Sequence, residues 1–300
     1  MPTNEQRRET AKRKLERQLE RRAQQARRRK QMTIIGGAVA VVVVVAAAIG
    51  TYVITHKDSG STTASADTNT PTTEAPPAPD AGPTEAPPAT GKLPEFKATA
   101  ATGGNCQYTP SQPASKKVNA PRTGKVPTDP AQISASMSTN QGNLGLQLDN
   151  AKAPCTVNSF ASLASQGYFD NTPCHRLTTS TSLAVLQCGD PTGEGTGGPG
   201  YEFANEYPTD QYPAGDPGLQ QPVVYPRGTL AMANAGPGTN GSQFFLVYKD
   251  SQLPPQYTAF GTIDATGLAT LDKIAAAGVT DGSEDGKPKG DVTIKSIALD

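Results

Sequence analysis

Only two histidines occur in the 300 residues, His56 and His175. A serine–histidine–acid hydrolase would have to be built on His175, and the G-x-S-x-G turn that presents such a serine is missing. H-E-x-x-H, which places two imidazoles on one helix face for zinc, is also absent. No two cysteines are spaced C-x-x-C, which argues against a zinc ribbon and against thioredoxin-like redox chemistry. There is no P-loop. The Gly-rich GEGTGGPGY, residues 193–201, is not set between a strand and a helix as a dinucleotide fingerprint must be, so it reads as a surface loop. These absences leave a binding surface, or catalysis that needs no nucleophile.

The net charge of zero, 27 basic against 27 acidic residues, hides an uneven distribution. Twelve basic and four acidic side chains fall in the first 30 residues, and the rest of the chain is mildly acidic. Residues 1–32 read as a charged helical head with only Leu15 and Leu19 as large apolar side chains. Residues 33–55, TIIGGAVAVVVVVAAAIGTYVIT, carry no charge. As a helix this run is about 34 Å long, enough to cross a hydrocarbon core of about 30 Å. The basic flank predicts a cytoplasmic N-terminus and an uncleaved, single-pass signal anchor in the cell membrane, with the remainder extracytoplasmic. A basic arm held against a membrane is expected to meet anionic headgroups rather than nucleic acid.

Residues 56–94 are rich in Pro, Thr and Ala and poor in large apolar side chains. Such a segment cannot bury enough surface to offset its ordering entropy, so it reads as a disordered, extended linker. Residues 95–125 are transitional, and from 126 to 300 the pattern is globular. AQISASMST and GNLGLQLD alternate around Asn140-Gln141-Gly142, the signature of a hairpin. APCTVNSFASLASQG and GLATLDKIAAAG carry apolar residues at helical spacing, the second ending at Gly278. CHRL, SLAVLQC, TLAMAN, QFFLVYK, TAFGTI and VTIKSIAL read as strands. Many strands with two helices predict a mainly β fold, a closed antiparallel barrel capped at its ends.

All four cysteines, Cys106, Cys155, Cys174 and Cys188, follow the apolar run, where an oxidising compartment permits disulfides. Three connectivities are possible. Cys174 and Cys188 lie on successive strands and face each other if those strands pair. Cys106 with Cys155 would then follow, pinning the leading segment to the first helix. Buried free thiols are the alternative.

CHRL, LQCGD, GTGGPGYEF, GTLAMANAGPGTNGSQFFLVY and YTAFG occur in the order and approximate spacing of the cyclophilins, and the chain resembles that family over about residues 126–300. The anchor and Pro/Thr linker look like the exported, membrane-anchored members of actinobacteria. The resemblance implies an eight-stranded antiparallel barrel with two capping helices and peptidyl-prolyl cis–trans isomerase activity on exported proteins. It implies no cofactor and no nucleic acid, proline-containing peptide segments as partners, and a monomer acting as an extracytoplasmic folding helper. It assigns Arg176, Gln243 and Phe245 to catalysis. Val185, Gln187, Ala233, Asn234, Ala235, Leu253 and Tyr257 are assigned to substrate binding, with His175 in support. Leu183, Ala184 and Val185 stand where the family places phenylalanine and methionine, after a connection about three residues longer than usual. Gln252 aligns with a frequent tryptophan and Tyr257 with a frequent histidine. A shallower pocket and weak cyclosporin binding are expected from these departures. A non-catalytic proline-peptide-binding or adhesion module on the same scaffold is the competing expectation.

Overall fold

The computed structural model describes residues 91–99 and 102–300. The basic head, the 33–55 span and the linker up to residue 90 lie outside the described residues. Among the described residues no helix is long and apolar enough to cross a membrane.

Two-residue strands β1 (Gly91–Lys92) and β2 (Thr109–Pro110) lead into the hairpin of β3 (Ile133–Thr139) and β4 (Asn143–Leu148). Helix α1 (Pro154–Ser165) follows, then β5 (Thr172–Pro173), β6 (Arg176–Thr178), β7 (Val185–Cys188) and β8 (Tyr201–Glu202). After two 3-10 turns come β9 (Val223–Tyr225), β10 (Thr229–Met232), β11 (Phe244–Val247), β12 (Ser251–Leu253) and β13 (Ala259–Ile263). Helix α2 (Ala265–Ala277), β14 (Asp285–Gly286) and β15 (Thr293–Leu299) close the chain.

The hairpin forms where the alternation placed it. Leu144, Leu146 and Leu148 face the core, while Asn143 and Gln147 are exposed. Gly142 turns the chain at φ +141°, and a Cβ there would press on Thr270. Helix α1 starts on Pro154, which needs no amide partner at that position, and buries Val157, Phe160, Leu163 and Ala164. Asp264 caps α2 by accepting from the Gly267 amide at 2.6 Å. Gly278 ends α2 at φ +78°, as its position in the sequence predicts.

Ten strands join one sheet in the order β14-β6-β7-β11-β10-β13-β4-β3-β15-β5. The expected eight-stranded closed barrel is thus corrected to a curled, ten-segment sheet with two ends and no ladder between its first and last strands. The ends are linked through the chain, because only Cys174 and His175 separate β5 from β6. Pro173 and the short segments explain the break, since proline has no amide to extend the ladder.

The sheet sorts its side chains onto two apolar faces, as period-2 geometry requires. Phe244, Leu246, Leu186, Cys188, Leu230 and Met232 point to the main core. There Phe160 meets Phe244 at 5.5 Å and Phe260 at 5.3 Å between ring centroids. Their alternates Phe245, Val247, Val185 and Ala231 lie in a second, outer cluster with Val223, Tyr225 and Tyr207.

Both favoured disulfides are formed, Cys106–Cys155 and Cys174–Cys188. Residues 95–125 are more than a transition. Besides the Cys106 link, β2 pairs with β8 and Tyr108 is buried, donating its hydroxyl to the Cys155 carbonyl. Further upstream, β1 pairs in parallel with β9, and Leu93 and Phe96 pack on the outer cluster.

Candidate active site

Arg176 sits on β6 directly opposite Gln187 on β7, which in turn faces Phe245 on β11. The guanidinium donates from Nε to Asp285 Oδ1 and from Nη2 to Asp285 Oδ2, each at 2.6 Å. Nη1 donates to Gln187 Oε1 at 3.2 Å. Three of the five guanidinium N–H groups are thereby engaged, and among the described residues one on each terminal nitrogen has no partner. The hydrogen bond and charge of Asp285 raise the Arg176 pKa further above its ordinary value, against the opposing effect of burial. The same hydrogen bond lowers Asp285 below its usual range.

A relay of amides extends inward from this pair. Gln187 Nε2 donates to Gln243 Oε1 at 2.9 Å, and Gln243 Nε2 donates to the carbonyls of Gly195 and Gly197 at 2.9 and 3.0 Å. Both Gln243 donors are therefore occupied inside the protein, which gives the side chain a positioning part. Asp190 freezes the turn that Gln243 holds, accepting from the amides of Thr192 and Gly197. Burial alone would raise the Asp190 pKa, but these donors bring it below the ordinary value. Gly189 is needed beside it, because at φ +92° a Cβ would collide with the Ser242 carbonyl.

Phe245 is buried and meets Tyr257 edge-on at 5.8 Å. Val185 shares their cluster, and Leu253, Leu183 and Ala233 pack against it. This apolar floor adjoins the Arg176–Gln187 pair, so Arg176, Gln187, Gln243, Phe245, Val185, Leu253 and Tyr257 lie close together. The Asn234 side chain is occupied, donating to the Gln256 carbonyl at 2.9 Å and accepting from the Gly236 amide at 3.1 Å. Among the described residues its own amide and carbonyl make no hydrogen bond, leaving a bare stretch of backbone between Ala233 and Ala235.

His175 precedes Arg176 and is partly buried. It packs under Gly195, its Nδ1 is buried without a partner among the described residues, and burial lowers its pKa. Asp285 was not visible in the sequence. It lies 109 residues from Arg176, in a short acidic turn with no local pattern. The signal available was the demand of a half-buried arginine for a carboxylate.

A family model described as cyclophilin type peptidyl-prolyl cis-trans isomerase/CLD matches residues 134–299. The chain belongs to this family of peptidyl-prolyl cis–trans isomerases. It is 64% identical over 301 residues to a probable peptidyl-prolyl cis-trans isomerase B of Mycobacterium tuberculosis, covering 100% of this chain and 95% of that protein. A Mycobacterium leprae protein of the same description is 70% identical over 209 residues, covering 69% of this chain and 71% of its own length. The crystal structure of a Cryptosporidium parvum cyclophilin type isomerase aligns with a TM-score of 0.45 and 32% identity, over 56% of this chain and 98% of its own.

Proposed function

We propose that this isomerase accelerates X-Pro rotation in exported proteins from an extracytoplasmic, membrane-tethered position. The observation that carries the chemical reading is the Arg176 guanidinium, locked by Asp285 and Gln187 with two N–H groups free, beside an apolar floor. Amide resonance sets a rotation barrier of about 18–20 kcal/mol, while X-Pro isomers are nearly balanced, so a catalyst need only lower the barrier. The pyrrolidine ring fits the floor of Phe245, Leu253, Val185 and Tyr257. The free amide and carbonyl of Asn234 pair with the peptide backbone and hold one side of the bond. As the bond twists, conjugation is lost and the prolyl nitrogen gains a lone pair. The free Arg176 N–H groups donate toward it and stabilise the twisted state over both planar ones. Proton transfer and covalent intermediates play no part.

The full chain in detergent micelles, assayed by exchange NMR on an Ala-Pro peptide, tests this. Arg176→Ala is expected to cost about 10²–10³ in kcat/KM, and Arg176→Lys to recover little because it lacks the rigid fork. Wild-type protein that binds the peptide yet leaves it at the uncatalysed rate would establish the binding-module alternative.

The location is supported by the charge-free 33–55 run behind a basic head, and by two disulfides in the part of the chain beyond it. Protease added outside spheroplasts is expected to degrade the Asp80–Asp300 unit. Protection of that unit until lysis would reverse the topology.

A further inference from the structure

Strand β9 connects the segment at residues 91–97 to the walls of the proline floor. It is the middle strand of a three-stranded outer sheet, β1-β9-β12. On one side Val223 and Val224 pair in parallel with Gly91 and Lys92. On the other, the same two residues pair with Leu253 and Gln252 of β12. Leu253 is one wall of the floor. Tyr225, the last residue of β9, is fully buried and reaches the other wall. Its hydroxyl donates to the Tyr257 carbonyl at 2.8 Å and accepts from the Tyr257 amide at 3.4 Å. One strand of three residues thus holds both Leu253 and Tyr257 in place around Phe245.

So short a strand is marginal with a single neighbour, so whatever secures its second edge also secures the floor. Residues 91–97 do this, and they precede the span 134–299 that the family model matches. They lie as a strap on apolar surface. Leu93 and Phe96 are half-buried against the outer cluster, while Glu95 and Lys97 are exposed. Phe96 meets Tyr207 edge-on at 5.7 Å, and the Tyr207 hydroxyl donates to the Pro94 carbonyl at 2.8 Å. The Lys97 amide donates to Gln211 Oε1 at 2.8 Å. Tyr207 passes the contact on, because its own carbonyl accepts from the Ala259 amide at 2.8 Å, two residues beyond Tyr257. The strap therefore reaches the walls by two routes, through β9 and through Tyr207.

We propose that Leu93 and Phe96 are positioning residues of the isomerase: the strap clamps β9 and Tyr207, and so sets how closely Leu253 and Tyr257 enclose the pyrrolidine ring. The proposal rests on the isomerase reading above. Arg176 is oriented from β14 and β7, whereas the walls are oriented from β9. Loosening the strap weakens the grip on the ring in the planar and twisted states alike. Such a loss raises KM and leaves kcat in place.

The test compares the full chain in detergent micelles with its Leu93→Ala/Phe96→Ala double variant, by exchange NMR over a concentration series of an Ala-Pro peptide. KM is expected to rise about 3- to 10-fold with kcat held within about twofold, as a loosened apolar grip requires. Phe96→Leu alone should keep a KM near wild type, since apolar volume is what clamps. Tyr207→Phe empties no core and removes only the hydroxyl on Pro94. It should raise KM about twofold, and it decides the matter if the double variant does not fold. In the folded variants the amide resonances of Leu253 and Tyr257 should move while those of Arg176 and Gln187 hold. An unchanged KM with unmoved Leu253 and Tyr257 resonances overturns the proposal. A lower kcat at the wild-type KM is the mark of a smaller folded fraction, and it overturns the proposal by assigning the strap to stability alone. Wild-type protein that leaves the peptide at the uncatalysed rate removes the isomerase reading, and the positioning role with it.

Discussion

At the scale of single residues, the chemistry depends on how firmly one guanidinium is aimed. Arg176 is half-exposed, and an arginine in that setting is free to sample many rotamers unless its donors are held. Asp285 supplies two of its three internal hydrogen bonds. Bidentate geometry fixes the plane of the fork as well as its position. Asp285→Ala should therefore lower kcat by about tenfold with a smaller change in KM, since the apolar floor that grips proline is untouched. An unchanged kcat would mean that Gln187 alone orients the arginine. Activity should also be flat across neutral and mildly alkaline pH. Arg176 is pushed further above its ordinary value, and burial keeps His175 neutral. Arg176, Phe245 and the glutamines were legible because each sits in a long local motif. Asp285 was not, because its partnership is purely tertiary.

At the scale of elements, the longer strands and both helices were legible because each shows a period. The hairpin, QFFLVYK and the capped helix ending at Gly278 all did so. Strands of two or three residues such as β1, β2, β9 and β14 have no room for a period. Only their partners define them, so they and the ten-segment order were hidden. The β6–β7 pair shows how an element serves the site. It presents Arg176 opposite Gln187, and Cys174 and Cys188 staple its core-facing side. The Cys174→Ser/Cys188→Ser double variant loses a staple closing a 14-residue separation, and should unfold about 2–4 kcal/mol more easily in denaturant. Its kcat should fall several-fold while the wild-type KM is nearly kept, because register rather than the floor is loosened. Equal losses in both constants would place the disulfide in general stability only.

Across the whole molecule, Glu206 is the point where separate parts meet. Its carboxylate accepts from the amides of Cys155 and Thr156 and from the Thr156 hydroxyl, which closes the N-terminus of α1. Its amide donates to Thr258 Oγ1, and the adjacent Tyr207 donates its hydroxyl to the Pro94 carbonyl and stacks edge-on with Phe96. Core helix, outer cluster and upstream strap therefore converge on two consecutive residues. Burial pushes the Glu206 carboxyl up from 4.5 to about 7, although Thr156 and the Cys155 and Thr156 amides pull the other way. The folded state therefore holds this proton more tightly than the unfolded chain does. Between pH 4.5 and about 7 this carboxyl binds more protons in the folded protein, so its contribution to stability falls as pH rises through that window. Asp190 and Asp285 are shifted in the opposite direction, and their contribution is lost only below the ordinary 3.8, outside the window. Burial lowers His175, which opposes Glu206 below 6.5, so the sign is read above that value: denaturant unfolding at about pH 6.5 and about pH 8 should give a higher free energy at the lower pH. Glu206→Gln should flatten that slope and lower stability at both, because an amide cannot accept all three donors. A slope that persists in the variant would assign the pH dependence to another group and leave Glu206 ionised in its buried cap.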